Sequence, residues 1–310
     1  MKKTAFIFPG QGAQYVGMGK EIAEKYEASM NIFDKASDAL GFDVKEMVFN
    51  GDDETLKITE NTQPAIFTAS IACMQPLLEN GIVPAITAGL SLGEYAAHIA
   101  SGSLCFEDTV KLVKLRGKYM QEAVPVGVGT MAAIIGLSNE DVIEACKVAG
   151  SEGTVEPANF NCPGQVVVAG EVKAVEKLVE ICKEKGAKRA LVLPVSAPFH
   201  SSMLSSAGEK LEKELENVEV KDMNIPVVTN VTGDIIKNKD DIKDLLVKQV
   251  SSPVLWEKCM RKMVDEGIET FVEIGPGKVL NGFARKIDRS ITVMNVEDLA
   301  SLEKVLDALK

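Results

Sequence analysis

Short apolar runs of strand length recur along this chain, separated by stretches with helical periodicity. Thr4-Ala5-Phe6-Ile7-Phe8 has no polar face and stops at Pro9-Gly10. Pro84-Ala85-Ile86-Thr87-Ala88 repeats the pattern before Gly89, and 225–230 and 270–274 do so again. Runs apolar on both faces suit strands covered on both sides, as in a parallel sheet. Periodicity predicts helices from the glycine turn at 10–14 through Tyr26 and from Thr62 to Glu79, with Pro64 in the first turn of the latter. Further helices are expected over 107–122, 205–215, 243–250 and 254–267, after Gly277, and from Glu297 onward, while 30–60 is expected to be helical and then irregular.

The texture changes at Pro125-Val126-Gly127-Val128-Gly129. A strand (130–136), a helix capped by Ser138 (138–148), two strands (155–159, 165–169), a helix (172–185) and a strand (189–195) follow. The hairpin turn is expected at Asn161-Cys162-Pro163-Gly164. This β-α-β-β-α-β order is the ferredoxin-like split unit. The expected class is α/β: a large unit with a parallel sheet from 1–124 and 197–310, and a ferredoxin-like α+β subdomain inserted at 125–196.

Gly89-Leu90-Ser91-Leu92-Gly93 lies between a predicted strand and a predicted helix. A serine on so sharp a turn presents its hydroxyl to a cleft, at a helix N-terminus that favours developing negative charge. The competing reading is a glycine-rich turn with a capping serine. The loop Pro9-Gly10-Gln11-Gly12 fails as a dinucleotide fingerprint, because its third glycine position is Tyr15. It can instead offer the Gln11 N–H to an oxyanion, beside the N–H of Leu92, unless it is a plain tight turn. Arg116 falls among Leu112 and Met120 on the apolar side of its helix, where a guanidinium needs an anion from the protein or from a ligand. His200, in a loop after Pro198, is placed as a base for Ser91; His98, two turns along the helix that Ser91 starts, is the weaker candidate.

Composition narrows the classes. The chain has 310 residues and a net charge of −11, which argues against general nucleic-acid binding. No apolar run approaches the roughly 18 residues of a membrane span, and the apolar run after Lys3 is too short for a signal peptide. The expectation is a cytoplasmic protein that does not insert in membranes. Six cysteines without Cys-x-x-Cys spacing read as reduced packing thiols, and two histidines leave little for a metal site.

Phe8-Pro9-Gly10-Gln11-Gly12, Gln63-Pro64-Ala65, the Gly89–Gly93 turn with Glu94-Tyr95, Arg116-Gly117, Asn159-x-Asn161-x-Pro163-Gly164-Gln165, Phe199-His200 and Glu273-Ile274-Gly275-Pro276-Gly277 occur together and in order. As a set they resemble the malonyl-CoA:acyl carrier protein transacylases of bacterial type II fatty-acid synthesis, over essentially the whole chain. The resemblance implies an α/β-hydrolase-like large subdomain with the ferredoxin-like insertion. It also implies malonyl transfer from malonyl-CoA to the phosphopantetheine thiol of acyl carrier protein through a malonyl-serine ester. Ser91 is then the nucleophile and His200 its base. The N–H groups of Gln11 and Leu92 form the oxyanion hole, Arg116 with Gln63 holds the malonyl carboxylate, and the backbone carbonyl of Gln249 orients His200.

By the same resemblance Asn159 lines the rim, and Phe199 matches members that take malonyl units. Leu90 stands where the family usually has His, and Cys162 where Ser is usual. No metal or redox cofactor is implied; the coenzyme A thioester is substrate, and a monomer is expected. Lys188-Arg189 and Arg285-Lys286 are candidate docking pairs for an acidic carrier protein. With an ordinary His200, the rate would rise through roughly pH 6–8. The alternatives are a serine thioesterase or other hydrolase on the same elbow, and a non-catalytic scaffold that binds carrier protein.

Overall fold

A computed structural model describes residues 3–195 and 197–309. Strand β1 (Thr4–Phe8) is the middle of a five-stranded sheet, and its side chains alternate between two cores. Phe6 and Phe8 lie in one apolar cluster, Ala5 and Ile7 in another, which is why the run carries no polar position. Helices α1 (Lys20–Lys25), α2 (Glu27–Leu40), α3 (Val44–Phe49), α4 (Asp53–Lys57) and α5 (Thr59–Glu79) follow. Strand β2 (Ile86–Gly89) then pairs in parallel with β1 and leads into α6 (Gly93–Ser101) and α7 (Phe106–Glu122).

A second sheet is built next, from β3 (Gly129–Ile135), α8 (Asn139–Ala149), β4 (Val155–Cys162), β5 (Gln165–Glu171), α9 (Val172–Glu184) and β6 (Arg189–Val192). Its strands are antiparallel in the order β4-β5-β3-β6. Ala132, Ile134, Val166 and Val168 pack with α8 and α9, while Met131, Val167 and Ala169, on the opposite face, join the main core. The chain then returns through α10 (Ser205–Glu216), β7 (Val227–Val228), α11 (Ile242–Val250), α12 (Trp256–Asp265), β8 (Thr270–Ile274), α13 (Val279–Ile287), β9 (Thr292–Val296) and α14 (Leu299–Leu309). The first sheet is parallel throughout, in the order β7-β2-β1-β8-β9. This is the expected mixed α/β class, with a parallel and a separate antiparallel sheet.

Several local expectations are corrected. The first helix begins only at Lys20, after a series of turns. The 30–60 stretch holds two further short helices, capped by Asp43 and Asp52, whose carboxylates accept the N–H groups of Glu46 and Thr55. Helix α5 starts at Thr59, so Pro64 sits inside it and not in its first turn. Every residue from Thr62 to Met74 is buried, so packing outweighs the backbone bond that proline cannot donate. The β4–β5 turn is shorter than expected, because β4 continues to Cys162. Strand β7 spans only two residues, and β6 ends at Val192. Strand β9, a half-exposed edge strand, was not expected at all. The expected boundary at Ser196 lies outside the described residues.

Phe6 is fully buried at the centre of the sheet. Phe6→Ala should lower the unfolding free energy by about 3–5 kcal/mol, the usual cost of such a cavity. Urea denaturation followed by the fluorescence of the sole tryptophan, Trp256, would measure it, and a change below about 1 kcal/mol would contradict a packed central strand.

Candidate active site

The carboxyl ends of β1, β2 and β7 converge on one place, as ligand sites do in parallel sheets. Strand β2 ends at Gly89, and α6 begins at Gly93 after the turn Leu90-Ser91-Leu92. The turn is tight enough to need both glycines. A Cβ on Gly89 would lie 1.9 Å from the Gly93 carbonyl carbon, and one on Gly93 would lie 2.2 Å from the Phe8 oxygen. Ser91 has φ 52° and His200 φ 60°, and they are the only non-glycine residues with positive φ among those described. Left-handed backbone at an ordinary residue is strained and persists only where the surroundings enforce it.

The two strained residues face each other. Ser91 Oγ lies 2.6 Å from His200 Nε2, and His200 Nδ1 lies 2.8 Å from the Gln249 carbonyl oxygen. That carbonyl can only accept, so Nδ1 carries the proton and Nε2 is left to accept the serine O–H. No carboxylate bonds to the imidazole among the described residues. Burial first, then the charge of Arg116, push the His200 pKa down to about 4, against the opposing bonds to the carbonyls of Gln249 and Ser252. The ring is therefore neutral and a ready acceptor at physiological pH, well below the titration range that an ordinary histidine would give.

Arg116, on α7, is 1% exposed. Its Nη1 donates to Gln63 Oε1 at 2.7 Å; its Nη2 lies 3.1 Å from Ser91 Oγ and 3.0 Å from Gln249 Oε1. Nε is buried without an acceptor, and the guanidinium carbon lies 5.4 Å from the centre of the Tyr95 ring. All its hydrogen-bond acceptors are neutral oxygens, and it is in no ion pair among the described residues, so the structural salt-bridge reading finds no partner. The surrounding charge is Glu94, fully buried, whose pKa burial raises to about 7 against the Asn230 N–H, the Gln249 side chain and Arg116. Burial lowers the Arg116 pKa in turn. An anion brought to this guanidinium would meet donors already held in place and shielded from water.

The structure thus brings Ser91, His200, Arg116, Gln63 and Gln249 into one hydrogen-bonded set. Gln11 lies half-buried in the loop after β1, with Nε2 3.4 Å from Thr59 Oγ1. Its loop is tied to the elbow by the Leu90 N–H, which donates to the Phe8 carbonyl. Leu92 caps α6 and is buried. Asn159 sits on β4, bridged to Val254, and Phe199 packs in the main core; neither side chain enters the hydrogen-bonded set. His98 is buried against Ser103 Oγ at 2.9 Å and does not bond to Ser91. Leu90, in place of the more usual histidine, packs with the apolar cluster behind the sheet.

Sequence reasoning passed over Asn230, Glu94 and the side chain of Gln249, all buried and all bonded to this set. Glu94 carried a signal, as a carboxylate followed by Tyr95-Ala96-Ala97 on a short apolar helix. Asn230, at the end of an apolar strand, carried only a weak one.

The acid limb of kcat/KM should lie near pH 4, where free His200 titrates. A substrate carboxylate on Arg116 would cancel part of the repulsion that holds His200 down, so the limb of kcat should lie at higher pH. Coincident limbs near the ordinary imidazole value of about 6.5 would show that this environment does not set the base.

Comparison with known proteins agrees with the geometry. The acyl transferase domain family matches residues 5–304. The chain is 46% identical over 311 residues to the malonyl CoA-acyl carrier protein transacylase of Bacillus subtilis (strain 168), covering 100% of this chain and 98% of that protein. The crystal structure of malonyl CoA-acyl carrier protein transacylase from Clostridium perfringens superposes with TM-score 0.97 at 50% identity, over 99% of this chain and 97% of that one. A malonyl-transacylase in complex with its type II PKS acyl-carrier protein superposes with TM-score 0.96 at 42% identity, over 99% of both chains. A buried serine–histidine pair beside a guanidinium without a counter-ion, on this fold and at this identity, places the chain in the malonyl-CoA:acyl carrier protein transacylase family.

Proposed function

We propose that this acyltransferase moves the malonyl group of malonyl-CoA onto the phosphopantetheine thiol of acyl carrier protein, and so feeds fatty-acid synthesis. The observation that carries the assignment is the position of Arg116, with Nη2 3.1 Å from Ser91 Oγ and no carboxylate partner among the described residues. In a malonyl ester of Ser91, three bonds separate Oγ from the carboxylate carbon. The guanidinium is therefore within reach of that carboxylate, and Gln63 fixes its orientation.

In the first half-reaction His200 Nε2 takes the Ser91 proton as Oγ attacks the thioester carbonyl. The tetrahedral oxygen faces the N–H groups of Leu92 and Gln11. Collapse breaks the C–S bond, the coenzyme A sulfur takes the proton from His200, and malonyl-Ser91 remains. In the second half-reaction His200 takes the proton of the carrier thiol, its sulfur attacks the ester, and Ser91 leaves with that proton. Splitting the exchange at a covalent ester divides one transfer into two matched steps.

The reading gives the catalytic unit residues 1–124 and 197–310, with 125–196 as an inserted unit carrying Asn159 to the rim. It uses no metal or redox cofactor; coenzyme A enters only as acyl carrier. No described helix is long and apolar enough to cross a membrane, and we place the protein in the cytoplasm with its carrier.

Intact-mass measurement after mixing with malonyl-CoA should show one malonyl adduct, absent in Ser91→Ala; an adduct that persists would move the nucleophile elsewhere. Arg116→Ala should lower kcat/KM for malonyl-CoA by about 10²- to 10³-fold or more, the loss of a buried charged pair of roughly 3–5 kcal/mol. Acetyl-CoA should lose nothing comparable, and Arg116→Lys should recover only part of the malonyl activity. An equal fall for both substrates would reduce Arg116 to a structural role.

The carrier should dock where basic residues gather. Gln165, Ile135 and Arg189 lie in register across β5, β3 and β6, and Lys286 Nζ bonds Gln165 Oε1 at 3.2 Å. Lys286 therefore reaches the end of the antiparallel sheet that carries Lys188 and Arg189, the Gln165 and Arg189 backbones being about 10 Å apart by strand spacing. Charge reversal at Lys188, Arg189, Arg285 and Lys286 should raise KM for carrier protein and spare KM for malonyl-CoA in steady-state assays; equal effects on both would reject the patch.

A further inference from the structure

Asn230, just past β7, is fully buried, and every polar atom it has is engaged. Its Oδ1 accepts the Ser91 N–H at 2.6 Å and its Nδ2 donates to the Gly89 carbonyl at 2.7 Å. Its own N–H donates to Glu94 Oε2 at 2.7 Å, and its carbonyl accepts the Leu255 N–H at 2.9 Å. One amide thus spans the elbow from the last residue of β2 to the serine. Glu94, on the helix that the elbow starts, grips the backbone of the residue that does the spanning.

The consequence lies in the peptide planes on either side of Ser91. Each plane is rigid, so fixing one of its polar groups aims the other. The Leu90–Ser91 plane is held by Asn230 Oδ1 at the Ser91 N–H and by the Gly93 N–H at the Leu90 carbonyl. The Ser91–Leu92 plane is held at its carbonyl by Gln249 Nε2 at 3.1 Å and by the Glu94 N–H at 3.1 Å. The second plane carries the Leu92 N–H. With the Ser91 N–H consumed by Asn230, Leu92 is the elbow's free donor, and its direction follows from these bonds.

We propose that Asn230 and Glu94 are positioning residues, a two-part clamp that holds Ser91 in its left-handed conformation and aims both its Oγ and the Leu92 N–H at the reacting carbonyl. The inference rests on Ser91 being the nucleophile. An asparagine suits the clamp because it supplies one acceptor and one donor on one planar group, matching the N–H and the C=O it bridges. Neither residue touches substrate in this arrangement. Their loss should slow the chemistry of both half-reactions and leave substrate affinity alone.

The test is single-turnover acylation by malonyl-CoA and subsequent transfer to holo carrier protein, read by quenched intact mass, together with steady-state constants. Asn230→Ala should lower kcat on the order of 10²-fold, the cost of misplacing reacting groups by about 1 Å. Its KM for malonyl-CoA should stay within roughly threefold of wild type, and both half-reactions should slow together. Glu94→Gln keeps an acceptor for the Asn230 N–H and should stay within roughly threefold of wild type, whereas Glu94→Ala should fall with Asn230→Ala. Asn230→Asp conserves volume but loses the donor to Gly89; it replaces the alanine variant if that one does not accumulate folded, and should show the same split between kcat and KM. Wild-type acylation in the Asn230 variant would overturn the clamp, as would Glu94→Gln being as damaging as Glu94→Ala. Ser91→Ala, run alongside, separates the two ideas: an adduct there refutes the nucleophile, while no adduct there and normal acylation in Asn230→Ala refutes the clamp alone.

Discussion

A guanidinium buried without a counter-ion is an expensive arrangement, and much of this site is arranged around it. Arg116 is held by side-chain and hydroxyl oxygens from three different parts of the chain: Gln63 on α5, Ser91 on the elbow and Gln249 on α11. None of them neutralises it. The one carboxyl group in the neighbourhood, Glu94, is itself kept partly protonated by burial near neutral pH. The free protein therefore keeps a net demand for an anion beside Ser91, and the same charge adds to the burial that depresses His200.

The fold supplies the rigidity that such a site needs. Strand β1 is buried on both faces, and its carboxyl end carries the loop of Gln11 against the elbow at the end of β2. Residues far apart in sequence meet because parallel neighbours place their carboxyl ends side by side. The antiparallel sheet adds a second layer. One of its faces is closed by its own two helices and the other joins the main core, so β4 reaches the return segment at Val254. From there the chain passes into α12, whose Cys259 bonds the Thr229 carbonyl next to Asn230.

Much of this was legible in the sequence because it rests on local signals. The glycines at 89 and 93 announce a turn in which a Cβ has no room, and the misfit of Arg116 on an apolar helix face announces a buried charge. The ferredoxin-like order followed from alternating periodicities. What escaped was set by tertiary contact. Helix α5 runs through Pro64 because its flanks are buried, which no propensity reveals. Strand β9 forms because β8 offers an edge to a half-polar segment. Asn230 looked like the end of an apolar strand, since its importance lies in bonds to residues 136 and 139 positions away. The downward shift of His200 carried no sequence signal for the same reason, as burial and the charge of Arg116 act only in the folded chain.

His200 leans on a carbonyl where many serine enzymes place a carboxylate, so a proton taken up at Nε2 meets no fixed counter-charge on the far side of the ring. A neutral acceptor does little to stabilise an imidazolium, and a ring that titrates near 4 gives a weak base. Once protonated, however, a ring with so low a pKa is a ready acid, and in the proposed exchange it hands its proton back easily to the departing sulfur of a thiol of pKa ~8.5. A group that is a weak base in one step and a ready acid in the next suits an exchange that runs through the same two proton transfers in either direction.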